Sequence, residues 1–420
     1  MDIILRHQIR QLLERPATPQ LGSFLNELMV EFLVCKGFVQ SETLRLALLQ
    51  TPRHAFLPDV ELRHAYRDQA VATVCDDDGW FESSCSTPSI VCTMIEALQL
   101  DDATNILELG AGTGYTSTLM SRCAPHAKIV TLEVLEDVAL ETKSRLEAMG
   151  IDSVDVRAAD GSDGSAGTGP YDRIVLACGA KEIPAELVDL LVDGGLLVIP
   201  IGSCVFVFEK QGSQLVGRPI ILASFIAFAN KQPQSTWQTD KGRSILWPQE
   251  VPESQRSIGE ADHAIDGPEI QSSQIASWVL WSSLQYPESS VILSERDGGW
   301  GFGLHDREAN STVICRMEGA LSFRHYGNRA ESTRFECWGD PKINDRFLDI
   351  SQQLADLGWP DFDRIAITVD LEQPFDPELQ KNQFLVGSHV WSCEILGFEI
   401  LRPELAAVSE QPVGPAGMNE

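Results

Sequence analysis

The sequence lacks three features that would assign it to a specialised class of protein. No apolar run reaches the roughly 18 residues that a membrane-spanning helix needs. The ten cysteines form no C-x-x-C pair, which disfavours a structural zinc site. Acidic residues outnumber basic ones by 61 to 32, and the formal charge of −29 argues against nucleic acid, because phosphate contacts need a basic face. We therefore expect no metal, no membrane and no nucleic acid among its partners.

The beginning of the chain, MDIILRHQIRQLLERPATPQ, is charged and has no apolar region followed by a cleavage site. We therefore expect a cytoplasmic protein whose cysteines are thiols. With 420 residues, of which 43% are hydrophobic, the chain is long enough for two domains with a core each.

The most informative stretch is Asn105–Tyr115, which reads NILELGAGTGY. An apolar run of strand length leads directly into a glycine-rich loop, and a helical pattern follows. This order predicts a nucleotide-type site in an α/β sheet, because glycines let the backbone turn sharply and approach a ligand closely. Many turns from strand to helix, however, carry glycines for packing alone.

Two acidic residues at the ends of the next strands support a ligand site. Glu133 ends the run KIVTLE, where a carboxylate can accept the two hydroxyls of a ribose. Asp160-Gly161 follows the next run and offers a carboxylate and a backbone N–H to an adenine. Tyr115 stands where a dinucleotide fingerprint has glycine or alanine, and Glu108 is unusual for that class. The E-x-G-x-G-x-G form resembles the S-adenosylmethionine (SAM) loop of class I methyltransferases; NAD and a purely structural turn are the alternatives.

A serine-rich segment, Ser83–Ser89 (SSCSTPS), precedes another helical pattern. Pro88 suits the first turn of that helix, and Ser86 or Thr87 suits its N-cap. In one interpretation the segment only caps the helix; in the other its hydroxyls and free N–H groups bind a carboxylate. The two interpretations are compatible.

Strands alternate with helices from residue 105 to about residue 202, which predicts a doubly wound parallel sheet with ligands at the carboxyl ends of its strands. Residues 230–265 are rich in Gln, Ser, Glu and Pro, as in a linker. We therefore predict a first domain over residues 1–230, a linker over 231–265, an α+β domain over 266–408 and a disordered tail over 409–420.

Several motifs together resemble the protein-L-isoaspartate O-methyltransferase family over roughly residues 40–230. The motifs are Pro52-Arg53-His54 with Phe56, Ala65-Tyr66 with Asp68, Ser84-x-Ser86-x-Pro88-Ser89, the loop at 108–115, Asp160-Gly161, Tyr171–Ile174, Glu182-Ile183-Pro184 and Gly194-Gly195. The resemblance implies a Rossmann-like class I SAM-dependent methyltransferase fold. It also implies an enzyme that transfers a methyl group from SAM to an aspartyl-type carboxylate.

The resemblance further assigns roles to residues. Ser86 is the expected catalytic residue, because a serine or threonine at this position helps to hold the substrate carboxylate in the family. The expected substrate-binding residues are Ser83, Ser84, Cys85, Ser86, Pro88 and Ser89. The expected SAM-binding residues are Glu108, Gly110, Gly112, Thr113, Gly114, Tyr115, Glu133, Asp160 and Gly161.

The sequence also departs from the repair enzymes of this family. The loop that contains Asp76–Asp78 is longer, Cys85 replaces an apolar residue, and a long region follows the methyltransferase domain. These departures resemble the homologues encoded beside ribosomally synthesised peptides such as lanthipeptides, graspetides and lasso peptides. We therefore expect methylation of an aspartate in a modified precursor peptide, leading to aspartimide and isoaspartate, with the C-terminal domain recognising that peptide. General isoaspartyl repair with an accessory domain is the alternative.

Overall fold

The computed structural model describes residues 19–75, 81–161, 169–223 and 225. Between residues 234 and 395 it describes the helices and strands given below, with a few residues that adjoin them. Residues 1–18, the acidic loop at Asp76–Asp78 and the predicted tail lie outside these ranges. No helix in the described ranges is long and apolar enough to cross a membrane.

The helices and strands alternate in the first half of the chain, and strands dominate the second. The α-helices are α1 (Pro19–Cys35), α2 (Glu42–Leu49), α3 (Leu62–Ala65), α4 (Pro88–Ala97), α5 (Tyr115–Cys123), α6 (Glu136–Ala148), α7 (Ala185–Leu190), α8 (Ser272–Gln285) and α9 (Ile343–Asp356). The first strands are β1 (Val71–Cys75), β2 (Phe81–Cys85), β3 (Asn105–Leu109), β4 (Lys128–Glu133), β5 (Val154–Ala158), β6 (Tyr171–Leu176), β7 (Leu191–Ile201), β8 (Cys204–Gln211) and β9 (Gln214–Leu222).

The later strands are shorter on average and mostly antiparallel. They are β10 (Gln234–Gln238), β11 (Ser244–Pro248), β12 (His263–Asp266), β13 (Ile270–Gln271), β14 (Ser290–Arg296), β15 (Gly299–Asp306), β16 (Ser311–Met317), β17 (Ala330–Glu331), β18 (Thr333–Trp338), β19 (Ile365–Asp370), β20 (Gln383–Val386) and β21 (His389–Ile395). The segment predicted as a linker therefore contains the hairpin of β10 and β11.

The central sheet has the predicted α/β architecture. Strands β5, β4, β3, β6 and β7 pair in parallel in that order, and β8 and β9 follow as antiparallel strands. The register sets Leu109 opposite both Leu132 and Leu176, so the carboxyl ends of β3, β4 and β6 lie side by side. The loops after these strands consequently share one edge of the sheet, where ligands bind in such folds.

The strands at the centre of the sheet contribute to two separate cores. In β3, Leu107 packs in the cluster on one face and Ile106 in the cluster on the other. In β6, Ile174 and Val175 divide in the same way. This alternation follows from the two-residue repeat of a strand, and it explains why the strands read as continuous apolar runs. Both faces are buried, as in a doubly wound fold.

Part of the predicted C-terminal domain continues the central sheet. Strand β19 pairs with β9, with Ile367 opposite Gly217, and β21 and β20 extend the sheet to ten strands. Trp391 of β21 packs edge-on against Phe206 of β8, with ring centroids 5.3 Å apart. The boundary predicted at residues 231–265 therefore separates two stretches of sequence that contribute to one sheet and one core.

Candidate active site

A cleft of about 780 Å³, counting the part open to solvent, lies at the carboxyl edge of the sheet. Two segments face each other across it. One side, here called the glycine wall, consists of Gly110–Thr113 with Glu133 and Asp160. Gly114, which was also predicted to bind SAM, ends the loop and does not line the cleft. The other side, here called the serine wall, consists of Ser83–Ser86 at the end of β2. The sequence predicted a site on both segments, and the structure brings them together in one cavity.

The glycine wall requires glycine at particular positions. Gly110, Gly112 and Gly114 have φ angles of 95°, 48° and 79°, which side chains rarely adopt. A Cβ on Gly112 would lie 3.1 Å from the carbonyl oxygen of Ser84, so the two walls approach each other most closely here. The loop is fixed to the sheet, since the N–H groups of Gly110 and Ala111 both donate to the carbonyl of Leu132.

Helix α6 holds the loop from outside the cleft. The Thr142 hydroxyl donates to the carbonyl of Gly112, and the Arg145 guanidinium donates to the carbonyl of Thr113 at 3.0 Å. These bonds fix the direction of two peptide groups in the loop. No motif in the sequence singled out Thr142 and Arg145. The only pattern that relates them is their spacing of three residues, which places the two side chains on one face of a helix.

The two acidic residues predicted to bind the ligand occur on the glycine wall. Glu133 is buried, and its Oε2 and Oε1 accept the N–H groups of Gly112 (2.9 Å) and Leu135 (3.2 Å). Each carboxylate oxygen retains a second lone pair for a hydroxyl donor. Asp160 also lines the cleft. Gly161 permits close packing, because a Cβ there would lie 2.6 Å from Cδ2 of Leu109.

Glu108 does not occupy the position that its predicted role in SAM binding requires. It is fully buried beneath the loop and does not line the cleft. Its Oε2 accepts hydrogen bonds from the hydroxyls of Ser117 and Thr131, and its Oε1 has no partner among the described residues. Burial raises the pKa of the Glu108 carboxyl to about 7, while the two hydroxyls act in the opposite direction.

The serine wall agrees only in part with the predicted substrate residues. Ser83, Ser84, Cys85 and Ser86 line the cleft, whereas Pro88 and Ser89 do not. Ser89 instead faces a second cleft on the other side of α4. Because Pro88 begins the helix, the chain turns there and the next side chain points away from the first cleft.

The start of α4 also differs from the prediction that its free N–H groups bind a carboxylate. Thr87 occupies the N-cap position without a capping bond from its side chain. The Asp68 carboxylate accepts the N–H of Ser89 at 2.9 Å, and the N–H of Ile90 donates to Thr87. Pro88 has no N–H. The helix start is therefore satisfied within the protein, and Ser86 does not serve as its cap.

Cys178 lines the cleft, but its thiol does not provide a nucleophile. Burial raises the pKa of the Cys178 thiol well above its usual value, and nearby carboxylates, Glu133 first among them, raise it further. In the part of the chain that the structure describes, no group of three or more His, Cys, Asp or Glu side chains is arranged to hold a metal ion.

Comparison with known proteins assigns the chain to a family. The sequence model described as Protein-L-isoaspartate(D-aspartate) O-methyltransferase matches residues 25–232. A protein-L-isoaspartate O-methyltransferase of Roseiflexus castenholzii is 38% identical over 182 residues, which cover 43% of this chain and 79% of that protein. One of Methanosarcina mazei is 38% identical over 180 residues, 43% of this chain and 71% of the other. The chain belongs to the protein-L-isoaspartate O-methyltransferase family.

Solved structures include similar folds. A beta-aspartate methyltransferase from Plasmodium falciparum, in complex with S-adenosyl-L-homocysteine, is 17% identical with a TM-score of 0.42, covering 48% of this chain and 97% of that one. Another protein-L-isoaspartate O-methyltransferase structure is 22% identical with a TM-score of 0.48 and covers 82% of this chain and 96% of that one.

As a member of this family the chain is a SAM-dependent methyltransferase with the class I fold. Its glycine wall fits SAM. At Gly112 the backbone has a positive φ and little room for a side chain, and Glu133 keeps lone pairs for hydroxyl donors. Three carboxylates line the cleft, Glu82, Glu133 and Asp160, which suits a ligand that carries positive charge on its sulfonium and amino groups.

Proposed function

We propose that this protein methylates the carboxylate that an isoaspartyl residue exposes, in peptides and proteins of varied sequence. The observation that carries the proposal is the meeting of the glycine wall and Ser86 in one cleft, within a chain of this family. The relatives named above bear the same activity in their names.

The chemistry asks little more of the protein than orientation. Bound SAM supplies a methyl group that its sulfonium makes electrophilic. The substrate carboxylate is already ionised at neutral pH, so no strong general base is required. The chain's contribution is to hold the carboxylate oxygen in line with the methyl group, which can be worth several kcal/mol.

Ser86 is the side chain that we assign to this task. Its hydroxyl forms no hydrogen bond with another described residue, and the residue lines the cleft opposite the glycine wall. It can therefore donate to a carboxylate oxygen of the substrate. We also infer that Ser83 and Ser84 contact the substrate, and that Gly110–Thr113, Glu133, Asp160 and Gly161 contact SAM.

The methyl ester that forms explains how methylation can lead to the repair of an isoaspartyl residue. The new C–O bond turns a carboxylate oxygen into an ester, and methanol is a better leaving group than oxide. The neighbouring backbone nitrogen can then attack the ester carbonyl, release methanol and close a succinimide. Water opens that ring to aspartate or isoaspartate, without further help from the enzyme.

A panel of peptides tests this function. The enzyme and SAM are incubated with isoaspartyl hexapeptides of several unrelated sequences and with their aspartyl counterparts, and methyl transfer is followed by mass spectrometry. We expect turnover of most isoaspartyl peptides and of none of the aspartyl ones. Absence of turnover across the whole panel would contradict the proposal.

A second candidate is a dedicated substrate, namely an aspartate in a ribosomally synthesised, modified precursor peptide. The supporting observation is the position of α8, which belongs to the region beyond the family match. A Cβ on Gly202, in the turn at the carboxyl end of β7, would lie 3.1 Å from Cβ of Ser283 in α8. The C-terminal region thus reaches the edge of the sheet that carries the cleft.

The same assay separates the two candidates. A modified precursor peptide is added as a further substrate beside the isoaspartyl panel. Methylation or loss of water on that peptide alone, with the panel unchanged, would favour the dedicated role. Turnover across the panel favours general isoaspartyl methylation.

A further inference from the structure

The cleft presents an electrostatic difficulty for its own substrate. The described residues that line it include Glu82, Glu133 and Asp160 and no Lys, Arg or His. The start of α4, which follows the serine wall in the chain, is capped by another carboxylate, Asp68. An anionic substrate must therefore approach a site whose visible charges are all negative, in a protein with a net charge of −29.

A buried cation lies directly behind the serine wall. The side chain of Arg53 is completely buried, although it carries a charge that water would otherwise solvate. In the described part of the chain it forms no ion pair with a carboxylate. Its guanidinium carbon lies 5.4 Å from the centre of the Tyr115 ring, over its face.

Backbone carbonyls satisfy the Arg53 guanidinium. Nε donates to the carbonyl of Ala65 at 2.8 Å, and Nη2 to that of Gln69 at 3.3 Å. The other two bonds reach the serine wall itself: Nη1 donates to the carbonyl of Ser86 at 2.7 Å and Nη2 to that of Cys85 at 3.0 Å. Carbonyl bonds orient a guanidinium without neutralising its charge.

The two bonds to the serine wall direct this charge towards the substrate. In a trans peptide the C=O and the N–H point in opposite directions. With the carbonyls of Cys85 and Ser86 held by Arg53, the N–H groups of Ser86 and Thr87 point away from Arg53. Hydrogen bonds that share a peptide group polarise one another, so a cation at the oxygen makes the N–H a stronger donor.

We propose that Arg53 is the positioning residue that supplies the positive potential for the substrate carboxylate, acting through the backbone of Cys85 and Ser86. It does not touch the substrate, and it gives the serine wall its preference for an ionised carboxylate over a neutral group. This inference rests on the proposed isoaspartyl substrate and specifies how that substrate is recognised.

The experiment measures how strongly the enzyme prefers a charged ligand over a neutral one, and does not rely on activity alone. An isoaspartyl hexapeptide and the matching isoasparaginyl hexapeptide, whose carboxylate is an amide, are compared as ligands of the SAM-free enzyme by calorimetry. For the wild type, the carboxylate peptide should bind more tightly. For Arg53→Gln, this preference should fall by at least about tenfold, since a charge several Å away in a partly buried site contributes that much.

Two further variants separate charge from structure. Arg53→Lys keeps the charge and loses the fork of donors, so it should keep most of the carboxylate preference even if both peptides bind more weakly. Arg122→Gln removes one exposed positive charge that does not line the cleft and should leave the preference unchanged. If Arg53→Gln fails to fold, as judged by near-ultraviolet circular dichroism, Arg53→Met takes its place, because it removes the charge and fills the buried site with an apolar side chain.

The outcomes are distinct. Equal loss of affinity for both peptides in Arg53→Gln, or loss of the preference in Arg53→Lys, would overturn the inference and leave Arg53 a structural residue. A wild type that does not prefer the carboxylate peptide would overturn the proposed isoaspartyl substrate as well.

Discussion

The glycine wall and the serine wall of the cleft are supported by different parts of the fold. The glycine wall is held by the ends of β3 and β4 and by the face of α6, and it carries the carboxylates of Glu133 and Asp160. The serine wall is the end of β2, which pairs with β1, and two side chains from the turns that precede it, Arg53 and Asp68, hold the segment that follows the strand. We propose that the first wall is adapted to a cationic cofactor and the second to an anionic substrate.

Gly112, where the two walls lie close together, should be the position most sensitive to substitution. Gly112→Val adds a branched side chain at a φ of 48°, within 3.1 Å of the Ser84 carbonyl. Backbone strain and overpacking together should cost about 4 kcal/mol, or roughly a thousandfold in SAM affinity and in turnover. Calorimetric titration with SAM measures the first effect and methyl transfer the second.

Gly150→Ala is the matched control for this variant. Gly150 has a φ of 69°, but a Cβ there would meet no atom within 4 Å. This change should lower stability slightly and leave SAM affinity intact. Equal damage from both variants would mean that backbone strain, and not the contact between the walls, determines the effect.

A change on the serine wall alone should separate catalysis from cofactor binding. Ser86→Ala removes the hydroxyl that we assign to the substrate carboxylate, so kcat/KM for an isoaspartyl peptide should fall roughly 10- to 100-fold. SAM affinity should not change. Ser89→Ala, on the other side of the same segment, should retain nearly full activity; a comparable loss in both would show that the segment is only structural.

The buried carboxyl beneath the glycine wall predicts a dependence of stability on pH. Because burial raises the pKa of Glu108 from 4.5 to about 7, the folded protein retains a proton that the unfolded chain has released. Stability attributable to Glu108 is therefore lost as pH rises from about 4.5 to 7.

Glu108→Gln should remove this dependence. The free energy of unfolding of the variant, relative to the wild type, should rise by roughly 2 kcal/mol between pH 5.5 and pH 8 in urea titrations. Curves that stay parallel over this range would show that Glu108 is ionised in the folded protein throughout.

Loss of a hydrogen bond between α6 and the glycine wall should have the smallest effect, and it should change only the binding of SAM. Thr142→Val keeps the shape of the side chain and removes the hydrogen bond to the Gly112 carbonyl. SAM affinity should weaken about fivefold, or about 1 kcal/mol, with kcat unchanged at saturating SAM. Ser144→Ala, on the exposed face of the same helix, is the control. A fall in kcat without a change in SAM affinity would assign Thr142 to the serine wall.

The sequence predicted the glycine wall better than the serine wall, for a physical reason. Gly110–Gly114, Glu133 and Asp160 each follow a strand, and parallel strands bring their carboxyl ends together. The roles of Arg53 and Asp68 depend on contacts between turns whose path no local pattern specifies. Ser89 was misplaced because the direction of its side chain depends on where the helix begins.

The C-terminal region shows a similar limit to what the sequence predicts. The alternating apolar residues over Ile365–Asp370 indicate a strand but not its partner, because an alternating strand does not specify which edge it joins. Its pairing with β9 connects residues that lie about 150 positions apart in the sequence. Because residues beyond 235 share this sheet and its core, we expect that their removal would destabilise the methyltransferase half.

The central claim is that this cleft transfers a methyl group from SAM to an isoaspartyl carboxylate. The most direct measurement is a competition in one vessel, in which the wild-type protein and SAM act on equal amounts of an isoaspartyl hexapeptide and its aspartyl counterpart, followed by mass spectrometry. We predict that only the isoaspartyl peptide gains a methyl group and later appears as succinimide. Methylation of both peptides to the same extent, or of neither, would contradict this account.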